Sequence, residues 1–231
     1  MMQASDPVWE SGLRTVGILG GVGAGKSTAA RALTEVLSGP DCLVDADQEV
    51  GLLLGNPVVA EDVAASLGSG VLRPDGLLDR RAMAAQIFAD EQARETLEGI
   101  LHPAVRRAIH RRLVATEASG EARWVILDIP LLIERGLADI CDFLIFVDVP
   151  DDIRAERAAN RHGWSRQEWQ AREAAQADLG EKKSRADAIL SNADGYEALR
   201  TQVQGLLSRI RALPPRSLAS RWPRWDQAPL P

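Results

Sequence analysis

Lysine is almost missing from this chain. Of 231 residues only three are lysine, at positions 26, 182 and 183, so 24 of the 27 basic residues are arginine. Cysteine is held to two, Cys42 and Cys141, far apart and each inside an apolar stretch. That excludes a disulfide scaffold and leaves buried free thiols in a reducing cytoplasm as the expectation. The three histidines, His102, His110 and His162, show no metal-ligand spacing, which excludes a His/Cys metal centre. No apolar run approaches the roughly 18 residues of a membrane span. The first fourteen residues show no basic stretch followed by an apolar one, so no signal peptide is read. The net charge of −6 argues against a general nucleic-acid binder. There is no internal repeat and no low-complexity block in the body. What is present, 45% hydrophobic and 26% charged residues, is the composition of a soluble globular chain with one sizeable core.

The pattern along the chain is that of a parallel α/β sheet. Val16–Leu19, Cys42–Val44, Trp124–Leu127, Phe143–Val147 and Ala188–Leu190 are short apolar runs of the kind buried on both faces. A helix over Ser27–Ser38, stopped by Gly39-Pro40, follows the first run, and Leu199, Val203, Leu206, Leu207 and Ile210 mark one face of a closing helix. Between the second and third strands lie some sixty residues without strand character. Asn56-Pro57 and Asp79 look like helix starts there, a third helix covers Glu91–Leu101, and Pro103 opens a fourth after a break at His102-Pro103. The tail from Leu213 holds five of the twelve prolines and reads as an extended, disordered extension. The rival reading is a docking segment anchored by Trp222 and Trp225.

Gly20-Gly21-Val22-Gly23-Ala24-Gly25-Lys26-Ser27 fits G-x-x-x-x-G-K-[ST] at every fixed position. Glycines let backbone N–H groups close around a phosphate chain, and the following helix adds its positive end. Lys26 can reach the β- and γ-phosphates, and the Ser27 hydroxyl can ligate Mg²⁺. The chain has no N-K-x-D for guanine and no complete L-S-G-G-Q of a transporter ATPase. A compact kinase remains, its acceptor site built from the inserted helices.

Asp45-Ala46-Asp47 follows the second strand. In extended backbone both carboxylates would face one side, where one could accept the proton of an acceptor hydroxyl. The competing reading is a strand-end turn or helix cap. Asp45, Asp128 and Asp148 each end an apolar run, and any could support the magnesium shell; spacing does not choose between Asp128 and Asp148. From Arg154 to Arg185 eight Arg or Lys stand against five acids. Arg154, Arg157 and Arg161 fall on one helical face, suited to phosphate oxygens, with an exposed, salt-bridged helix as the alternative.

The runs GILGGVGAGKST, LVDAD, LDRRAMAAQIFAD, LEGILHPAV, LDIPLLIERGL, FVDVPDDIRAERAANRHG and QADLGEKKSRADAIL, in this order over about residues 15–195, resemble the dephospho-coenzyme A kinase family. The resemblance implies transfer of the γ-phosphate of ATP to the 3′-hydroxyl of the ribose of dephospho-coenzyme A, the last step of coenzyme A synthesis. It implies that Gly23 through Thr28 (Gly23, Ala24, Gly25, Lys26, Ser27, Thr28), with Gly21 in the same loop, bind the ATP phosphates. Asp47 would be the general base, Arg157 and Arg161 would reach the phosphates from a lid, and Asn192 would sit near the adenine. Arg81 and His102 would belong to the coenzyme A side. The family often carries an arginine where this chain has Gly51, and Arg73, Arg80 and Arg81 are the candidates to replace it. Asp128 is not a fixed family position.

The expected protein is therefore a P-loop α/β enzyme of three α/β/α layers around a five-stranded parallel sheet. Residues 1–14 are an N-terminal extension. Residues 15–49, 119–153 and 187–212 form the nucleotide-binding core, 50–118 a helical acceptor domain, 154–186 a lid, and 213–231 the tail. Lys26, Asp47 and Arg161 are the expected catalytic residues. ATP and Mg²⁺ are the expected cofactors, and dephospho-coenzyme A the partner, without nucleic acid or membrane, in a cytoplasmic monomer or weak homo-oligomer. The alternatives are a P-loop kinase for another small hydroxyl acceptor, such as a nucleoside or sugar acid, and a nucleotide-binding regulatory protein.

Overall fold

Apolar runs that alternate with amphipathic helices fold as parallel strands covered on both faces. The computed structural model describes residues 12–37, 43–120 and 124–222. Strands β1 (Arg14–Gly20), β2 (Leu43–Asp45), β3 (Trp124–Asp128), β4 (Phe143–Asp148) and β5 (Ala188–Ser191) form one parallel sheet in the order β2-β3-β1-β4-β5. β1 is central, with Val16 opposite Ile126 of β3 and Phe143 of β4. That position explains why its residues are buried from Thr15 to Gly20. Helix α1 (Lys26–Leu37) lays Ala29, Ala30, Leu33 and Leu37 on the sheet. Helix α9 (Tyr196–Arg211) adds Leu199, Val203 and Ile210 to the same core. Truncating a side chain such as Leu33, fully buried there, costs about 2–5 kcal/mol.

The chain divides into two compact units. One holds the sheet and takes in the described residues up to Val44 and from Val114 onward; α6 (Asp151–His162), α7 (Arg166–Ala174) and α8 (Leu179–Ser184) lie in it. The other, Asp45–Leu113, is helical: α2 (Ala46–Leu53), α3 (Pro57–Leu67), α4 (Arg80–Ala89) and most of α5 (Glu91–Ser119). Its own core gathers Val59, Ala60, Val63, Val71, Met83, Leu97 and Ala104. Asn56 and Asp79 cap α3 and α4 through their side chains, at the positions their sequence context indicates. Among the described residues no single helix is long and apolar enough to cross a membrane.

Two expectations are overturned. α5 runs through Pro103 instead of breaking at His102-Pro103. A proline inside a helix lacks the N–H that would bond the carbonyl four residues back and costs about 3 kcal/mol. Leu97 before it and Ala104 after it are both buried in the core of the helical unit, and that packing outweighs the local penalty. The second correction is the tail, which is not a disordered extension as far as Trp222. Arg216 pairs with Leu13 through two backbone hydrogen bonds of 3.0 and 3.1 Å. A 3₁₀ turn follows at Leu218–Ser220, and Leu218 and Trp222 are buried. Arg221 is buried too, and its guanidinium donates to Thr15 Oγ1, to the carbonyls of Ile140, Leu13 and Arg216, and to Asp142. The sequence has no helical or strand period to announce this segment, since its order comes from partners between 79 and 208 residues away. Trp222 faces its own chain and so is no docking anchor. Trp225, the extension before residue 12, the Gly39-Pro40 helix stop and Cys42 lie outside the described residues. Cys141 is a free thiol whose pKa burial pushes well up.

Candidate active site

β1 ends at Gly20 and α1 begins at Lys26, so the loop between them occupies the carboxyl end of the central strand, where ligands of open α/β sheets bind. Gly23 (φ +84°) and Gly25 (φ +82°) adopt the left-handed backbone that side chains disfavour. Gly25 also faces a close neighbour: a Cβ there would stand 2.3 Å from Asn192 Nδ2. That amide donates to the Ala24 carbonyl at 2.9 Å, so Asn192, buried at the end of β5, holds the loop from below. Lys26 folds its ammonium back onto the carbonyls of Gly20 (3.2 Å) and Gly21 (3.1 Å). Burial lowers its pKa, opposed by the negative charge of Asp128, reinforced by the positive charge of Lys182, and opposed again by Glu173 and Glu134. Ser27 is exposed at the start of α1, and Thr28 N–H bonds back to the Gly25 carbonyl.

The acidic pair does not stand side by side in extended backbone, which corrects that expectation. Asp45 caps α2, accepting from the N–H groups of Asp47 (2.8 Å) and Gln48 (3.2 Å). Asp47 lies in the first turn of α2 with its carboxylate exposed. Asx chemistry took the first acid because an aspartate leading into a helix satisfies orphan N–H groups. The other two strand-end aspartates also differ. Asp128 is buried and its charge is felt at Lys26. Asp148 is paired with Lys183 at 2.7 Å, half exposed. Among the described residues no group of three or more His, Cys, Asp or Glu is arranged to hold a metal.

The three arginines of α6 do not act as one face, a second correction. Arg154 is 2% exposed. Asp151 (2.7 Å) and Glu173 (2.6 Å) neutralise it, Val149 O accepts from its Nε, and its guanidinium lies over the Trp169 ring. Arg157 donates to the carbonyl of Asn192 at 2.8 Å and has a buried second nitrogen, Nη1, without a hydrogen-bond partner. Arg161 is exposed in the last turn of α6.

In the helical unit a cavity of about 430 Å³ is lined by Leu54, Leu77, Asp79, Arg73, Arg80 and Arg81 among others. Arg81 is exposed at the start of α4, and His102 is half-buried within α5. Of the three arginines proposed to stand in at Gly51, Arg80 is the one whose guanidinium reaches it, donating to the Gly51 carbonyl at 2.9 Å.

Sequence reasoning missed Lys182 and Glu134. Lys182 is buried in α8, its ammonium on Glu134 (2.9 Å) and Gln176 Oε1 (2.8 Å). Burial alone would raise the Glu134 pKa, but bonds from its own N–H, from Lys182 and from the Ala177 N–H hold it below the usual range. Glu134 follows the bend after β3 in which Leu131 takes φ +62°, the one non-glycine residue of positive φ among the described residues. Both residues sat within the quoted runs, yet no spacing links two residues so far apart in sequence. Trp169 and Glu173 of α7 were missed as well. They grip Val22 of the loop, the Trp169 indole donating to Val22 O (3.0 Å) and Glu173 accepting from Val22 N–H (2.7 Å).

Comparison with known proteins places the whole fold in a family. The sequence profile of a family described as dephospho-CoA kinase matches residues 14–197. A dephospho-CoA kinase of Anaeromyxobacter dehalogenans is 41% identical over 199 residues, covering 86% of this chain and 93% of that relative. One of Geobacillus kaustophilus is 38% identical over 201 residues, covering 86% and 98%. A solved structure from Thermus thermophilus superposes with TM-score 0.67 at 32% identity, covering 86% of this chain and 98% of that one. The dephospho-CoA kinase of Campylobacter jejuni, 22% identical, shares the fold with TM-score 0.61 over 85% of this chain and 97% of its own.

Proposed function

This chain belongs to the dephospho-CoA kinase family, ATP-dependent transferases of the last step of coenzyme A synthesis, and from that premise we propose how its own residues carry the transfer. The N–H groups of Gly23 through Thr28 hold the phosphates of ATP, and Lys26 exchanges the carbonyls of Gly20 and Gly21 for the β- and γ-phosphate oxygens. The observation that carries this is the enclosed ammonium of Lys26, resting on two backbone carbonyls of the loop it serves. Carbonyls are weaker partners for a cation than phosphate oxygens, so the exchange is downhill once the phosphates arrive. Arg161, exposed at the end of α6, and Arg157, with its buried Nη1, neutralise charge on the transferred group. Asn192 supports the nucleotide through the Ala24 carbonyl.

Asp47 accepts the proton of the ribose 3′-hydroxyl as the bond to phosphorus forms. Its carboxylate is exposed in the first turn of α2, open to an incoming hydroxyl. Ser27 and Asp128 would be the residues to hold Mg²⁺, with a hydroxyl and a carboxylate of the hard-oxygen kind it takes. Two protein oxygens suffice for a cation that keeps waters and phosphate oxygens as its other ligands. Bound there, the ion would supply charge neutralisation to the phosphates. The acceptor lies against the helical unit, where Arg73, Arg80 and Arg81 outnumber the acids Asp79 and Asp75, the latter paired with Arg73 at 3.0 Å, and so favour a diphosphate-bearing substrate. Arg80 takes the place vacated at Gly51, and His102 belongs to the same side. Residues 154–186 act as the lid, excluding water during transfer. The enzyme works in the cytoplasm, as a monomer or weak homo-oligomer.

The test is ADP release with dephospho-coenzyme A against a panel of nucleosides and sugar acids, with wild type and Asp47→Asn. Transfer to dephospho-coenzyme A at the highest kcat/KM is expected, and faster transfer to another acceptor would sink the acceptor assignment. Asp47→Asn should lower kcat by about 100-fold or more with the KM for ATP unchanged. A variant with wild-type kcat removes Asp47 from the chemistry.

A further inference from the structure

Two successive peptides of the phosphate loop are held from outside by side chains of α6 and α7 that do not themselves face the loop's interior. In the Gly21–Val22 peptide, the Val22 N–H donates to Glu173 at 2.7 Å, while the Gly21 carbonyl, on the opposite edge, accepts from Lys26 Nζ at 3.1 Å and from Ala24 N–H at 3.3 Å. In the Val22–Gly23 peptide, the Val22 carbonyl accepts from Trp169 Nε1 at 3.0 Å and from Arg154 Nη1 at 3.4 Å. A trans peptide is planar, with its N–H and C=O pointing in opposite directions. Drawing the Val22 carbonyl outward to Trp169 therefore aims the Gly23 N–H away from α7, toward the inside of the loop. Drawing the Val22 N–H outward to Glu173 likewise turns the Gly21 carbonyl inward, where it meets Lys26.

The grip is itself rigidly supported. Trp169 is buried among Ala155 and Ala158, with Val22 and Trp164 packed against them. Arg154 bridges Glu173 and Asp151. The space is tight enough that a Cβ on Gly21 would fall 2.0 Å from Arg154 Nη1, and one on Gly23 would fall 2.4 Å from the Arg154 carbonyl. We propose that Trp169, Glu173 and Arg154 are positioning residues for ATP, which set the two peptide planes around Val22 so that Gly23 N–H and Lys26 face the phosphates. Closure of α7 and formation of a competent loop are then one event. The proposal rests on the reading of Gly20–Ser27 as the ATP site.

Trp169→Phe keeps an aromatic ring in the cluster and deletes the indole N–H. The KM for ATP should rise about fivefold, the worth of one hydrogen bond, kcat should fall, and the KM for dephospho-coenzyme A should stay as in wild type. In ¹⁵N-labelled enzyme the Gly23 amide resonance should move on adding a non-hydrolysable ATP analogue, and move less in the variant. Glu173→Ala, which leaves the ring cluster whole, is the independent second variant and should act in the same direction. Wild-type KM for ATP and an unchanged Gly23 shift in both variants overturn the proposal. So does a lowered melting temperature accompanied only by a loss of kcat with both KM values intact, the mark of a merely structural role. If wild-type enzyme itself shows neither a saturable ATP dependence nor a Gly23 shift, the ATP-site reading falls instead.

Discussion

Arg221→Met is the sharpest test of how the carboxyl-terminal segment holds the sheet. The guanidinium is 1% exposed and its partner Asp142 is 3% exposed. Methionine matches the length of the stem and removes every donor. Breaking a buried pair from one side costs about 3–5 kcal/mol, because the remaining charge stays buried. Here the remaining charge keeps other donors, the Thr15 N–H at 2.8 Å, the Thr15 hydroxyl at 3.2 Å and Arg216 at 3.1 Å. That places the cost at the lower end, about 3 kcal/mol. For a chain of this size the melting temperature should fall by roughly 6–12 °C, read by far-ultraviolet circular dichroism. Adding Asp142→Asn should cost less than the sum of the two changes, because the orphaned charge is gone. The kinetic constants at 25 °C should hold, since Thr15 lies five residues up β1 from Gly20, roughly 16 Å at the strand's rise. A melting temperature unchanged within about 1 °C would show that the segment is an unattached tail and refute the reasoning.

Lys26→Met should lower kcat by about 10²–10³-fold, the cost of removing one electrostatic contact to the transition state; near-normal turnover contradicts the loop assignment. The Lys26 pKa is lower in the fold than its ordinary 10.5, so between the two values the unfolded chain binds more protons. Wild type should thus gain stability relative to Lys26→Met as pH rises toward 10.5; denaturant titrations across that range check this, and a difference of the opposite sign would refute it. Glu134 is depressed below 4.5, so its bonds to Lys182 and Ala177 stabilise the fold above that pH and are lost as pH falls through the folded value. The melting-temperature deficit of Glu134→Gln should therefore be widest near neutrality and shrink below pH 4.5; a deficit independent of pH would mean the charge plays no part.

Local pattern was enough for the strands, the glycine loop and most helix starts. β1, β3 and β4 are apolar runs buried along most of their length, while edge strand β5 leaves Ile189 exposed; Asn56 and Asp79 cap helices with their own side chains, so the cause lies within a few residues of the effect. Gly20–Ser27 is legible for the same reason, since one turn contains both the glycines and the lysine they serve. Legibility ended where a partner lies far off along the chain. Pro103 sits inside a helix because Leu97 and Ala104 share a core, Arg154 turns inward because Glu173 and Trp169 come back from the next helix, and Arg221 orders a proline-rich segment by reaching Asp142. A buried charge takes the direction of whatever neutralises it, and only the folded chain decides which acid, indole or carbonyl that is.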